Sequence, residues 1–168
     1  MASNRHLGRI VVLQTLYEFD FRKESKDPNV SVEDILERNI NRYSETIEDK
    51  DFIRKLALGS VKDINKLDET IQPIAPEWPI EQIARVDRNI LRMSVWELTN
   101  SKDVPPKVVI NEAVELAKSF GSDNSSKFVN GVLGTAYRNM DEKSSKKTPS
   151  KAKSSAKSSA KSKKDAEK

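Results

Sequence analysis

The stretch from Val108 to Leu133, VVINEAVELAKSFGSDNSSKFVNGVL, places a helix, a polar turn and a second helix start in one run. Val109, Ala113, Leu116, Ala117 and Phe120 recur at steps of three and four, which predicts a helix with one buried stripe. Gly121 follows the last of them and is expected to stop the helix in a left-handed conformation, with Lys118 complementing the dipole in the final turn. Ser122, Asp123, Asn124 and Ser125 carry short oxygen-bearing side chains suited to cap the next helix. That second helix is expected from about Ser125, with Val129, Val132, Leu133 and Ala136 inward and Gly131 and Gly134 leaving room for a close helix neighbour. The arrangement puts Lys127 and Phe128, a cation and an aromatic, at the mouth of a polar turn.

Outward from this run the same periodicity continues. Pro105 and Pro106 precede it, and VVI at Val108 to Ile110 passes for a strand only if its helical flanks are ignored. Upstream, Ile80, Ile83 and Ala84 form one short stripe, while Ile90, Leu91, Ser94, Val95 and Leu98 form another. The phase slips near Arg85 and Val86, so the segment reads as two helices or one kinked helix, with Asp87 in the first turn of the second. Trp96 and Met93 fall among core positions, and Trp78 between Pro73, Pro76 and Pro79 reads as a packing plug. Phe52 to Ile71 sustains a helical period over about twenty residues, the longest expected helix, with Gly59 inside it implying a close crossing. Ser31, followed by Glu33 and Asp34, starts a shorter helix. At the N-terminus Ser3 or Asn4 can cap a helix running to about Phe21. Counting gives about seven helical segments and no convincing strand, an all-α chain.

Charge divides the chain in two. From Asp141 to Lys168 there are ten lysines against four acids, a net of +6, leaving 20 Lys and Arg against 22 acids in residues 1–140, a net of −2. The pI of about 9.2 and the mean hydropathy of −0.68 therefore reflect the tail, and a basic pI is no argument that the folded part binds nucleic acid. The tail repeats a Lys-Ser-Ser-Ala unit without a large apolar residue, so residues 141–168 are expected to be disordered, serving as a loose polycation for RNA or as a solubilising extension. The chain has no cysteine, which removes disulfides and thiolate chemistry, and no apolar run approaches the roughly 20 residues of a membrane span. A cytoplasmic location without membrane contact is the expectation.

Arg5 and Arg9 stand four residues apart on one helix face with His6 between them, spaced either to bracket phosphates or to form a solvated surface. His6 is the only histidine, so histidine-based metal ligation has no partner, and exposure without a structural role is its plain reading. No glycine-rich phosphate loop or nucleophile arrangement emerges, so the chain reads as a binding protein with no enzymatic activity, cofactor or metal.

VVINEAVELAKSFG followed by KFVNGVL, preceded by VDRNILRMSVWEL, with VVLQTLYEFD near the start and DFIRKLALGSV in the middle, resembles the bacterial transcription antitermination factor NusB family over about Arg5 to Met140. The resemblance implies two small helical bundles packed across each other, a NusB-like RNA-binding domain over residues 1–140, and binding to the boxA RNA of ribosomal RNA operon leaders. It implies partnership with the small-subunit ribosomal protein NusE and entry into the elongating RNA polymerase antitermination complex. By the same resemblance Arg5, His6, Arg9, Asn124, Lys127 and Phe128 are the RNA-binding residues, and Tyr17, Glu81 and Asp87 face NusE. Asn124 stands where many members carry an acid, which would ease the approach of phosphate. Two other classes fit the residues: an RNA-targeting subunit of an rRNA methyltransferase, and a protein-only scaffold or homodimer that hides the arginine face.

Overall fold

The computed structural model describes residues 2–147. Seven α-helices and no strand occur among them: α1 (Ala2–Glu24), α2 (Val32–Arg42), α3 (Lys50–Lys62), α4 (Ile64–Ile71), α5 (Arg85–Asn100), α6 (Pro106–Phe120) and α7 (Ser125–Lys147), with a 3₁₀ turn at Ile80–Gln82. α1 packs on α2 and α3 to make one bundle; α5, α6 and α7 make the other, with α4 beside α5. Contacts of α5 with α1 and α3 join the two bundles.

Local chemistry explains the starts of α2, α3 and α6. The Asp34 amide donates to the Ser31 hydroxyl at 3.3 Å, and the Phe52 amide donates to the Asp49 carboxylate at 3.0 Å, satisfying N-terminal amides that have no partner within their own helix. Pro106 opens α6 at a position that needs no amide donor. Asn4, expected as a cap, lies inside α1 instead: its amide donates to Thr46 O at 3.1 Å and accepts from the Glu48 amide at 3.1 Å, pinning the α2–α3 link.

The helix expected from Phe52 to Ile71 is two helices broken at Asp63. Asp63 leaves helical geometry, with φ −96° and ψ 15°, and its carboxylate accepts from the Trp96 indole nitrogen at 3.1 Å. The close crossing expected at Gly59 is made by that indole, since a Cβ there would lie 2.2 Å from the Trp96 ring. The longest helices are therefore α1 and α7, at 23 residues each.

α5 is buried on nearly all sides, and Arg88, Asn89 and Arg92 on it are paired rather than solvated. Arg92 makes a bidentate pair with Asp68 of α4 at 2.7 and 2.9 Å. Arg88 reaches Asp20 and Glu24 of α1 at 2.7 Å each, and Asn89 donates to Asp20 at 3.1 Å. Buried charges hold only when paired in this way, so α5 carries the ionic seam between the bundles as well as the apolar core.

Several other expectations change. Gly121 is extended, with φ −90° and ψ −170°, not left-handed; glycine is needed there because a Cβ would meet the Ser125 side chain at 2.5 Å. Gly131 and Gly134 face open space rather than a neighbouring helix. Trp78 is 57% exposed and so is no packing plug, and Phe120 projects outward at 43% exposure. α7 runs on through Asp141 to Lys147, seven residues into the segment expected to be disordered. The rest of that tail, 148–168, lies outside the described residues.

Candidate nucleic-acid interface

The α1 cations sit in a setting richer in acids than their sequence neighbours imply. Arg9 is 3% exposed, where an RNA contact was expected: its Nε donates to Glu97 Oε2 at 3.0 Å and a second nitrogen bonds the other oxygen of that buried carboxylate. Such a fork-to-fork pair consumes the guanidinium geometry that would otherwise serve a phosphate. His6 is not idle, because its Nδ1 lies 2.6 Å from Glu112 Oε2, tying α1 to α6.

Arg5 is the accessible member. Its guanidinium bridges Asp103 at 3.3 Å and Asp49 at 3.4 Å and lies over the Phe52 ring, 4.6 Å from the centroid. Both bonds are long, and the side chain is one-third exposed. Arg5 lines a cleft of about 460 Å³ whose rim includes Glu48, Asp49, Asp103 and Glu112. An anion entering there must displace carboxylates from Arg5.

The α6–α7 turn is built differently. The Ser122 amide donates to the Ser125 hydroxyl at 2.8 Å, and the close approach of Gly121 to Ser125 shuts the turn against α7. Asn124 and Lys127 are exposed just beyond it, and Phe128 is half-buried. Among the described residues no side-chain hydrogen bond or ion pair engages Asn124 or Lys127. This region therefore presents unpaired polar groups at the positive end of a helix beside an aromatic face.

The two clusters do not meet in one pocket. α6 spans the distance: Glu112, which holds His6, and Phe120 at the turn are eight residues apart, about 12 Å along a helix.

A third surface gathers Tyr17 and Glu81. Tyr17, Asp20, Phe21 and Glu24 share one face of α1, and the Arg85 guanidinium lies 5.6 Å from the Tyr17 ring centroid and 5.2 Å from that of Phe21. Burial works to lower the Arg85 pKa, but bonds to Glu24 and Tyr17 and the charges of Glu24 and Asp20 raise it above the usual arginine value. Glu81 is exposed on the 3₁₀ turn, its backbone oxygen accepting from Arg88 at 3.0 Å. Asp87 does not join this surface: it is 7% exposed, with one carboxylate oxygen enclosed without a hydrogen-bond partner. Phe21, expected only as the approximate end of the first helix, is 51% exposed on this surface.

Comparison with known proteins agrees with this architecture. A family model described as "NusB family" matches residues 6–138. The chain is 40% identical over 147 residues to the transcription antitermination protein NusB of Dehalococcoides mccartyi (strain CBDB1), covering 88% of this chain and 99% of that protein. It is 44% identical over 137 residues to the NusB of Chloroflexus aggregans, covering 80% and 87%. Among solved structures, T. maritima NusB superposes with a TM-score of 0.72 at 33% identity, over 80% of this chain and 90% of that one. A chain from the crystal structure of antitermination factors NusB and NusE in complex with dsRNA superposes with a TM-score of 0.72 at 26% identity, over 83% and 99%.

Proposed function

Because the chain belongs to the NusB family of transcription antitermination proteins, we propose that it binds boxA RNA through the α6–α7 turn and Arg5 and recruits NusE through the Tyr17 surface. The observation that carries this reading is the unpaired set of Asn124, Lys127 and Phe128 at the start of α7. Phe128 offers a face to an unpaired base, a contact worth about 1 to 3 kcal/mol in single-strand binders. Lys127 and Asn124 meet backbone and base edges. Arg5 supplies a phosphate contact after giving up its long bonds to Asp49 and Asp103, while His6, anchored through Nδ1 on Glu112, keeps its second ring nitrogen for RNA. Arg9 serves as a support that fixes α1 against α5, and Asp87 is buried in the first turn of α5.

Tyr17, Phe21 and Arg85 with Glu81 form an aromatic, mixed-charge face that suits a very basic ribosomal protein. Docking there adds surface for RNA, so the pair binds RNA more tightly than either alone. The assembled complex then joins the elongating polymerase, and the protein acts by assembly without turnover. No helix among the described residues is long and apolar enough to cross a membrane. Titrating labelled boxA RNA with the full chain, with and without NusE, tests the reading: sequence-selective binding strengthened by NusE is expected, and equal affinity for boxA and a scrambled RNA overturns it.

A further inference from the structure

The loop from Pro73 to Pro79 is short, rich in proline and stapled by one side chain. The Gln72 amide donates to Trp78 O at 2.7 Å and to Ala75 O at 3.3 Å, and its oxygen accepts from the Ile80 amide at 2.8 Å. The three prolines restrict the backbone further. The result is an indole held more than half exposed by a braced loop, where burial would be expected for so large an apolar group. Trp78 from the loop and Phe128 from the first turn of α7 both line a cleft of about 400 Å³. Gly131 lies in its lining with open space where a Cβ would stand. Lys127 is the single cation among the lining residues and Glu77 the single acid.

We propose that this cleft is a nucleobase site for single-stranded RNA, with Trp78 a second stacking platform beside Phe128; the inference rests on the RNA-binding reading above. Two aromatic faces and an unpaired cation are the recurring parts of sites that track unpaired strands. A braced platform loses little conformational freedom on binding. Lys127 meets the adjoining phosphate. Glu77 disfavours phosphate and accepts from a base amino group, so a base carrying one is preferred over uracil. The cleft adjoins the loop that leads into α5, whereas Arg5 is held by Asp103 just beyond the other end of that helix. The 16 residues of α5 span about 24 Å, so only an RNA of several nucleotides reaches both.

The chain has two tryptophans, so Trp96→Phe leaves Trp78 as the sole indole reporter. In that full-length variant, boxA RNA is expected to quench Trp78 emission in step with the anisotropy of labelled RNA, and Trp78→Ala is expected to weaken binding about tenfold or more while Trp78→Phe retains most of it. RNA binding with unmoved emission and unchanged Trp78→Ala affinity overturns the stacking site and leaves the RNA reading standing. Failure of the unmodified protein to bind boxA RNA overturns both. Emission that shifts with protein concentration or with added NusE, but not with RNA, assigns the cleft to a protein contact and also overturns the proposal. Should Trp96→Phe fail to fold, the Trp78→Ala and Trp78→Phe affinities in the natural background decide the matter.

Discussion

The α1 cluster and the α6–α7 turn carry similar residues with opposite fates. Near the start of α1 each candidate contact has an acid against it: Arg9 on Glu97, His6 on Glu112, Arg5 on Asp49 and Asp103. At the turn, Asn124 and Lys127 have no such neighbour and Phe128 stays half open. A positive side chain is therefore a poor guide to a nucleic-acid surface until its partners are known. The turn is prepared to receive a ligand, whereas the α1 cluster mostly holds helices together and has only Arg5 to lend.

The largest effect expected from this contrast lies in Arg9. Removing its guanidinium leaves Glu97, 1% exposed, as an unpaired buried charge. Breaking a buried pair costs about 3 to 5 kcal/mol. Arg9→Ala should therefore lose that much in urea denaturation, and RNA affinity should fall only as the folded fraction falls. A variant of unchanged stability with RNA binding abolished would reverse the comparison and make Arg9 a contact residue.

Phe128→Ala comes next and moves a different quantity. Loss of a stacked base should weaken boxA binding by about 1 to 3 kcal/mol, with a smaller loss of stability because the ring is only half-buried. Lowered thermal stability with boxA affinity intact would return Phe128 to the core and strip the turn of its reading face.

How far such residues could be read in advance depended on how local their causes were. The cap at Ser31 and the stripe on α6 were legible because helix starts and periodicity are set within a few residues. The break at Asp63 was not, because it serves Trp96, 33 residues away. The burial of Arg9 depends on Glu97, 88 residues away, and nothing near Arg9 in the chain signals it. Trp78 misled in the opposite direction: a tryptophan among prolines suggests a plug, and only the Gln72 staple turns it outward. At Gly121 the position was legible and the cause was not, since crowding by Ser125 stands where a left-handed turn was expected. Candidate site residues were recovered as positions, while their division into contacts and supports needed the packing.

Arg5→Ala sharpens the comparison at lower amplitude. Its ion pairs are partly exposed and contribute at most about 1 kcal/mol to stability, so folding should be nearly untouched. If Arg5 releases its acids to meet one phosphate, the slope of log affinity against log salt should shrink by about 0.7 in the single-stranded regime. The loss should be shared by boxA and scrambled RNA, because a phosphate contact carries no base information. A slope equal to that of the natural chain would show that Arg5 stays with Asp49 and Asp103 when RNA is bound.

The smallest effect is the most discriminating, because its two readouts move in opposite directions. Asn124 immediately precedes α7, and its backbone oxygen accepts the Phe128 amide at 3.1 Å, so an acid there sits at the positive end of a 23-residue helix. Asn124→Asp should therefore stabilise the fold by about 0.3 to 1 kcal/mol through the dipole. The same negative charge beside an incoming phosphate should weaken RNA binding several-fold at low salt, with the difference shrinking as salt screens it. A change confined to the architecture would move stability alone, and a general loss of fold would lower both quantities together. Only a turn that meets RNA predicts a more stable protein that binds its ligand less well, and unchanged affinity at fixed low salt would remove Asn124 from the interface.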